Sequence, residues 1–447
     1  MNDFTKGVIA KQIILFSIPM LIGNIFQQMY NIVDAVVVGR FLGSAALAAV
    51  GVSMNALFFF IAALQGLTTG ASVVLSQFFG AKQYDNLKTA MSTSIIFLGG
   101  LSVVMTVLGM VFTPHMLRLL NAPEYIFDYA VIYMRVQMAG LVFMIFFNMY
   151  TSYLRAMGNS RTPLYILMFT TTFNGLLNML FVVVLGFGIF AVSLGTIITQ
   201  GLAAVICFVY TYKKVPLLRV NRLVFDKKLF IAILKYGLPA ALQLSIVSLA
   251  SLTISRLINS FGTAAIAGIT AANRIDNLAM LPISTLSLAL STFVGQNMGA
   301  KLEERAVKGL KTMMATMVGG ALLISAVLIF TAPYLVQIFI DMSDVHAAEM
   351  LATGQNYLRI MVVFYFLFAF LFAFNGFYRG AGDAVIAMVF PIVSLTIRTG
   401  SAYALVYFAG MGPEALAWSI PIGWGIASSA SFIYYKKRLW VGKMVTK

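Results

Sequence analysis

Length, composition and charge exclude most classes of soluble protein. The chain has 447 residues, of which 61% are hydrophobic and only 10% are charged, whereas charged residues make up about 25% of an average soluble domain. This composition predicts an integral membrane protein with no room for a separate soluble domain. The formal net charge of +16 is explained by membrane orientation and by contact with anionic lipid, so we expect membrane lipid and not nucleic acid as a partner.

The cysteine and histidine content argues against a metal centre. The chain has one cysteine, Cys207, and two histidines, His115 and His346, which we expect to lie in separate short loops. These residues exclude a disulfide within the chain and a His/Cys metal cluster. The sequence also contains no catalytic constellation, so we expect no metal, no cofactor and no enzyme activity.

Twelve apolar segments follow one another along the chain, and each is long enough to cross a bilayer as a helix. The predicted fold class is therefore all-α, a polytopic membrane protein with twelve transmembrane helices. When both termini are placed in the cytoplasm, most of the 30 Lys and Arg residues fall on the cytoplasmic side, as the positive-inside rule requires. The predicted spans are 10–38, 46–76, 88–112, 126–153, 162–186, 188–212, 230–259, 264–294, 308–331, 350–378, 385–408 and 412–435.

An internal repeat divides these spans into two halves. Residues 43–82 align without gaps onto residues 262–301, and the two copies begin Gly-Ser-Ala-Ala-Leu-Ala and Gly-Thr-Ala-Ala-Ile-Ala. The repeat predicts an N-terminal lobe of six helices over 1–212, a cytoplasmic linker over 213–228 and a C-terminal lobe of six helices over 229–447. Because six is an even number, the two lobes have the same orientation in the membrane.

Two parallel lobes favour a secondary transporter that works by alternating access. A flippase of a lipid-linked precursor is the alternative, and its cavity would need a cluster of basic side chains for the pyrophosphate. A channel is disfavoured because no filter sequence is present. Arg256, Arg274 and Arg398 all fall in the second lobe, which keeps the flippase alternative open.

Asp34 lies well inside the first apolar segment, where an unpaired carboxylate is costly and therefore points to function. Gln27, Tyr30, Asn31 and Asp34 are spaced i, i+3, i+4 and i+7, so they share one face of a helix. This pattern predicts a carboxylate with hydroxyl and amide neighbours. The alternative is a carboxylate that is only satisfied by those neighbours and has no further role.

Asp276 is the second acidic residue inside an apolar segment. Arg256 on the preceding helix is positioned to pair with it, whereas Arg274 points to a different face. The sequence predicts that Arg256 and Asp276 form either a pair that stabilises the fold or a polar site in the second lobe.

Polar side chains also occur in the fifth and sixth predicted spans. Asn174 and Asn178 are four residues apart on one helix face, and Thr196 follows in the next span. Amides and hydroxyls at membrane depth bind cations, accept or donate to a carboxylate, or join helices. The sequence alone leaves these alternatives open.

Several motifs together resemble the multidrug and toxic compound extrusion (MATE) transporters, and are most similar to the bacterial branch related to the DinF proteins. The resemblance covers the whole chain. The motifs are Pro19, residues 27–34 and 38–43, the block 77–82 with its copy 296–301, and the segment 154–158 with its copy 378–382.

The resemblance implies a multi-pass protein of the bacterial inner membrane, acting as a monomer, that exports small cationic or amphipathic drugs in exchange for H⁺ or Na⁺. It implies that Asp34 is the ion-coupling residue and that Asn174, Asn178 and Thr196 surround it. Some relatives carry a second carboxylate where this chain has Asn178. A lone carboxylate away from water is protonated readily, so we expect H⁺ as the coupling ion and Na⁺ less.

Pro19 and Gly23 are the predicted hinge of the first helix. Proline removes a backbone hydrogen bond and glycine lowers the local stiffness. We expect protonation of Asp34 to bend or rotate this helix near Pro19 and to favour release of the drug to the outside.

Overall fold

The computed structural model describes residues 2–445, and within this range the secondary structure is entirely helical. The described residues form thirteen α-helices with short connections. They are α1 (Ile9–Phe41), α2 (Gly43–Gly80), α3 (Tyr84–Leu119), α4 (Glu124–Ala156), α5 (Arg161–Asn178), α6 (Gly188–Lys214), α7 (Lys227–Asn259), α8 (Thr263–Gly299), α9 (Glu303–Gln337), α10 (Ala347–Val363), α11 (Tyr365–Ala381), α12 (Ala384–Tyr407) and α13 (Glu414–Lys436).

The all-α prediction is confirmed, and it follows from the apolar composition. A segment in hydrocarbon must satisfy its own backbone hydrogen bonds, which an α-helix does within one segment. Among the described residues, eleven helices are long and apolar enough to cross a membrane, and the number is twelve when the bent pair α10 and α11 counts as one span.

The tenth predicted span, 350–378, is not one straight helix. It is broken at Phe364, and α10 and α11 meet there at an angle of 53°. The backbone N–H of Phe364 bonds to the carbonyl of Met361, and the N–H of Leu367 bonds to the carbonyl of Phe364. These three-residue turns are tighter than an α-helical turn. Because no proline or glycine stands at the break, the apolar pattern predicted a continuous helix.

The contacts group the chain into two compact units. The first unit comprises 2–4 and Leu15–Ala241, and in it α4 packs against α2, α3 and α6. The second unit comprises Thr5–Ile14 and Leu242–Val445, and in it α8 packs against α9, α10 and α11. The lobe boundaries inferred from the repeat remain a prediction from the sequence.

Equivalent positions of the internal repeat have equivalent backbone conformations, including several in the left-handed region. A non-glycine residue there is uncommon, so its recurrence at the same place in both copies supports the duplication. The pairs are Gly43 (φ 87°) with Gly262 (φ 87°), Lys82 (φ 57°) with Lys301 (φ 58°), and Gly158 (φ 75°) with Gly382 (φ 90°).

The segment before α7 is fixed by side chains of α3. The carboxylate of Asp226 accepts hydrogen bonds from the backbone N–H groups of Lys228 (2.7 Å) and Leu229 (2.9 Å), so Asp226 caps the first turn of α7. The backbone N–H of Asp226 in turn donates to the hydroxyl of Thr93 at 3.0 Å. The predicted linker is therefore ordered where it joins α7.

Candidate ion-coupling site

The first unit holds a buried carboxylate in the middle of a polar cluster. Asp34 of α1 is only 8% exposed. The side-chain amide of Asn178, at the end of α5, donates to Asp34 Oδ1 at 2.7 Å. One turn before Asp34 on α1, the hydroxyl of Tyr30 donates to Thr196 Oγ1 of α6 at 2.8 Å. The structure therefore brings residues of α1, α5 and α6 to one place.

The amides and hydroxyls behind the carboxylate continue this network. Asn178 Nδ2 also donates to Asn174 Oδ1 at 3.0 Å, and Asn174 Nδ2 donates to Thr199 Oγ1 at 3.3 Å. The Thr199 hydroxyl donates to the backbone carbonyls of Gly195 and Thr196, both at 2.9 Å. Asn174, Asn178, Thr196 and Thr199 are all buried. The Asp34 cluster is defined here as Tyr30, Asp34, Asn174, Asn178, Thr196 and Thr199.

A change of helix type occurs immediately after Asn178. The predicted fifth span, 162–186, is α-helical only to Asn178, and Met179–Val184 is π-helical. A π-helical turn rotates the residues after it relative to those before it, and such turns are frequent at functional sites. The amide that contacts Asp34 therefore stands at the junction of the two helix types.

Gly195 of α6 makes room for the Asn178 side chain. A Cβ at position 195 would lie 2.4 Å from Asn178 Oδ1, closer than real Cβ contacts. Asn178 Oδ1 is itself buried and has no hydrogen-bond partner. The contribution of Gly195 was missed in the sequence, because nothing local shows how closely α5 and α6 approach.

We expect Gly195→Ala to lower the free energy of unfolding by about 1–3 kcal/mol, because the added methyl group overpacks against Asn178. Gly175→Ala on α5 is the matched control, since a Cβ there has no atom within 4 Å. The control should be neutral or stabilising by up to about 1 kcal/mol, the gain in helix propensity. Thermal unfolding in detergent checks both variants, and equal midpoints for the two would contradict the close approach.

The structure does not bring Gln27 and Asn31 to Asp34. Both side chains are exposed, and Asn31 donates to Gln28 Oε1 at 3.4 Å. Gln27 shares the angular position of Asp34 but lies about 10 Å away along the helix axis, at 1.5 Å per residue. Asn31 lies on the flank of the helix. Of this predicted face, only the half-buried Tyr30 and the buried Asp34 belong to the polar cluster.

Tyr133 of α4 is a neighbour of the Asp34 cluster that was not predicted as a site residue. It is 1% exposed and lies close enough to Asp34 for an electrostatic interaction. Its hydroxyl accepts a hydrogen bond from Gln137 Nε2 at 3.1 Å. The only signal in the sequence is that Tyr133 corresponds to Tyr357 in the second half of the chain, and the Tyr357 hydroxyl donates to Asn273 Oδ1 at 3.4 Å.

The predicted hinge residues of α1 are both buried. The helix continues without interruption from Ile9 to Phe41 and contains Pro19 within it. A Cβ at Gly23 would lie 3.6 Å from Leu167 and 3.9 Å from Leu164, which is ordinary van der Waals contact. Gly23 is therefore not required for close packing, and its bending role stays a prediction.

The two residues predicted for the second lobe do not meet. Arg256 at the end of α7 is exposed, and no ion pair joins it to Asp276 in the described part of the chain. Asp276 instead accepts a hydrogen bond from the hydroxyl of Tyr365 at 2.8 Å. Tyr365 is the first residue after the bend at Phe364, so its position depended on a break that the sequence did not reveal.

The Asp34 cluster contains a single acid that is buried among neutral hydrogen-bond donors. Its only acid is Asp34, its contacts are neutral donors, and within residues 2–445 no basic side chain forms an ion pair with it. A carboxylate that is buried without a counter-ion is costly in a low-dielectric medium. Neutralisation of the carboxylate by a proton or a small cation removes that cost.

Comparisons with known proteins agree with this architecture. The family model described as MatE matches residues 19–180 and 239–404, one match in each copy of the repeat. The chain is 29% identical over 440 residues to the "Probable multidrug resistance protein YpnP" of Bacillus subtilis, covering 98% of this chain and 97% of that protein. It is 22% identical to the "Multidrug export protein MepA" of Staphylococcus haemolyticus, covering 97% and 95%.

Solved structures show the same fold. A multidrug resistance MATE family transporter of the MOP superfamily in an outward-facing conformation superimposes with a TM-score of 0.91 at 24% identity, covering 98% of this chain and 97% of that one. A MATE protein in a conformation described as straight has a TM-score of 0.89 at 23% identity, covering 98% and 97%. With the family model matching most of the sequence, this chain belongs to the MatE family, the multidrug and toxic compound extrusion transporters, and is a multi-pass membrane transporter rather than an enzyme.

Proposed function

We propose that this chain is a secondary active antiporter that exports cationic or amphipathic organic compounds in exchange for H⁺, with Asp34 as the ion-coupling residue. The observation that carries the proposal is the burial of Asp34 as a lone carboxylate held only by neutral donors. The relatives described as multidrug resistance and multidrug export proteins support the substrate class.

Exchange follows from the charge balance of the site. When Asp34 is ionised, its negative charge is supported by the Asn178 amide, and a cation nearby gains Coulomb energy that is large in a low-dielectric environment. When Asp34 is protonated, that attraction is lost. A proton and a cationic drug therefore oppose each other's binding, either directly or through the conformation of the protein, and this opposition is what antiport requires.

The geometry of Asn178 favours H⁺ over Na⁺. A hard metal cation is held by several oxygen ligands, but Asn178 presents its Nδ2 group, a donor, to the carboxylate at 2.7 Å. A proton needs only one carboxylate oxygen and leaves the remaining hydrogen bonds in place. We therefore favour proton coupling.

The flippase alternative requires a cluster of basic side chains that is free to bind a pyrophosphate. The Arg274 guanidinium lies 5.5 Å from the ring centre of Phe339, and Arg256 is exposed at the end of α7. The relatives described as multidrug resistance and multidrug export proteins favour export of cationic or amphipathic compounds over flipping of a lipid-linked precursor.

The proposal places the protein in the bacterial cell membrane with both termini in the cytoplasm. The excess of Lys and Arg in the connectors on one side supports this orientation. We also propose a functional monomer, since the Asp34 cluster is formed by one chain.

Transport in proteoliposomes tests the coupling ion. We expect a fluorescent organic cation to move against its gradient when a pH difference is imposed, and not when an equal Na⁺ gradient is imposed at constant pH. Protein-free vesicles under the same gradients are the control for passive partitioning of the dye. Dye movement driven by the Na⁺ gradient alone would contradict proton coupling. The proposal that the chain is an antiporter would still hold.

A further inference from the structure

The end of α4, in the first unit, carries an arginine that has no counter-ion. Arg155 lies in the last turn of α4, its side chain is half-buried, and its Nε is fully buried without a hydrogen-bond partner. In the part of the chain that the structure describes, no ion pair involves Arg155. A charge that is withdrawn from water without a partner is costly. The guanidinium therefore requires an acceptor.

A second unpartnered polar group stands one turn before the arginine. Thr151 is only 4% exposed, and its hydroxyl oxygen is buried without a hydrogen-bond partner. Residues four apart on a helix share one face and are neighbours in space. A guanidinium has donors only, and a hydroxyl can donate. Thr151 and Arg155 therefore present two donors to the same place.

Helix α6 packs beside this place. The ring centres of Tyr150 and Phe208 are 5.7 Å apart, so the ends of α4 and α6 lie side by side. The thiol of Cys207 lies beside Thr151, but a thiol is only a weak donor. One turn further along α6, the hydroxyl of Thr211 is also buried without a partner. The described side chains here are donors, and none of them is acidic.

The second copy of the internal repeat satisfies its arginine within the chain. Arg379 is the counterpart of Arg155. One turn earlier, Asn375 stands where the first copy has Thr151. Arg379 Nη2 donates to Asn375 Oδ1 at 2.8 Å. A threonine side chain ends one atom nearer the backbone than the carbonyl oxygen of asparagine, so Thr151 does not supply the same acceptor.

The second copy also carries a negative charge that the first copy lacks. Asp383 follows Arg379 by four residues and is 5% exposed. The first copy has the neutral Asn159 at the corresponding position. Asn159 Oδ1 accepts a hydrogen bond from the backbone N–H of Thr162 at 3.1 Å, at the start of α5. The arginine of the first unit is therefore left without the amide and without the acid.

We propose that the first unit binds a small inorganic anion beside Arg155 and Thr151. The anion accepts hydrogen bonds from the guanidinium and the hydroxyl, in the role that Asn375 Oδ1 has in the second unit. It carries charge because Arg155 has no ion pair, and hydrogen bonds between charged groups are the strong ones. It is small because it replaces the reach of one side-chain atom beside a residue that is 4% exposed. The phosphate of an anionic lipid has related chemistry and is tested separately.

Thermal unfolding of the purified protein in chloride, compared with gluconate at the same ionic strength and pH, tests this inference. A ligand that binds only the folded state raises the midpoint of unfolding. We expect the midpoint to be about 2 °C higher in chloride, because gluconate is too large for the site. Asp34→Asn should show the same rise, so the result is independent of the proposed antiport.

Thr151→Asn gives the first unit the amide that the second unit has. It should fold and should show no difference between chloride and gluconate. Thr172→Asn, the same substitution at an exposed position of α5, is the matched control and should keep the full response. Thr151→Val keeps the shape of threonine and removes only the hydroxyl, so it should need about fivefold more chloride for the same rise. If Thr151→Asn does not fold, Thr151→Val decides.

Three results would overturn the inference. Equal midpoints of the natural protein in chloride and gluconate would mean that water satisfies Arg155. A chloride response that is unchanged in both Thr151 variants would place the anion elsewhere. A rise on adding phosphatidylglycerol to the detergent, with no rise in chloride, would assign the acceptor to a lipid phosphate.

Discussion

Asp34→Asn should reduce proton-driven drug transport to the level of protein-free vesicles. The amide has nearly the same volume as the carboxylate, and its oxygen can still accept the hydrogen bond from Asn178 Nδ2, which is 2.7 Å from Asp34 Oδ1. It cannot bind or release a proton. The substitution therefore removes the ion exchange while it keeps the contacts of α1 with α5.

Folding should survive this change. The buried charge of Asp34 has only neutral partners, so replacing it with an amide should cost little stability. We expect the free energy of unfolding to stay within about 1 kcal/mol of the natural protein. Asp85→Asn, the same substitution at an exposed position in the first turn of α3, is the matched control and should transport normally. Undiminished proton-driven transport by Asp34→Asn would exclude Asp34 as the coupling residue.

Much of the Asp34 cluster was predictable because its parts are local. Tyr30 with Asp34, and Asn174 with Asn178, are each four residues apart, and a helix places such pairs on one face. The rule does not say how far along a face the buried contact extends. For that reason Gln27 was grouped with Asp34 although it lies about two turns away and is exposed.

The features that the sequence did not reveal depend on contacts between distant segments. The hydroxyl of Tyr357 on α10 donates to Asn273 of α8, and no periodicity links two residues so far apart. Gly195 is needed only because Asn178 packs against it. The bend at Phe364 has no proline or glycine to mark it, yet it positions Tyr365 for its bond to Asp276. Tertiary packing, which has no local signal, decides all three.

The second major expectation is that acid moves the outer half of α1 relative to α5. Pro19 and Asp34 are fifteen residues apart, about 22 Å along a helix, and Pro19 lacks the N–H that would bond to the preceding turn. Protonation of Asp34 weakens the interaction with Asn178 because a neutral acid accepts hydrogen bonds less strongly. If the conformations differ in this interaction, protonation shifts their populations by the difference in free energy.

Gly23→Ala isolates the contribution of helix stiffness. The new methyl group would make only ordinary contacts with Leu167 and Leu164, at 3.6 and 3.9 Å, so it adds no steric strain. Alanine favours the helix by about 1 kcal/mol over glycine and should resist bending near Pro19. We expect this variant to keep its fold, to show a smaller movement of α1 between pH 8 and pH 5, and to transport more slowly.

Distances between spin labels measure this movement within the first unit. Labels at Val36→Cys on α1 and Leu176→Cys on α5 occupy exposed positions, and the native Cys207 is completely buried, so it should remain unlabelled. The distance between the labels should change between pH 8 and pH 5, and Asp34→Asn should give one distance at both. A pair at Val107→Cys on α3 and Ile198→Cys on α6, which are also exposed, is the reference and should not change. A preparation that transports but gives identical α1 to α5 distances at the two pH values would contradict a hinge at Pro19 and Gly23. Asp34 would then couple transport without bending its helix.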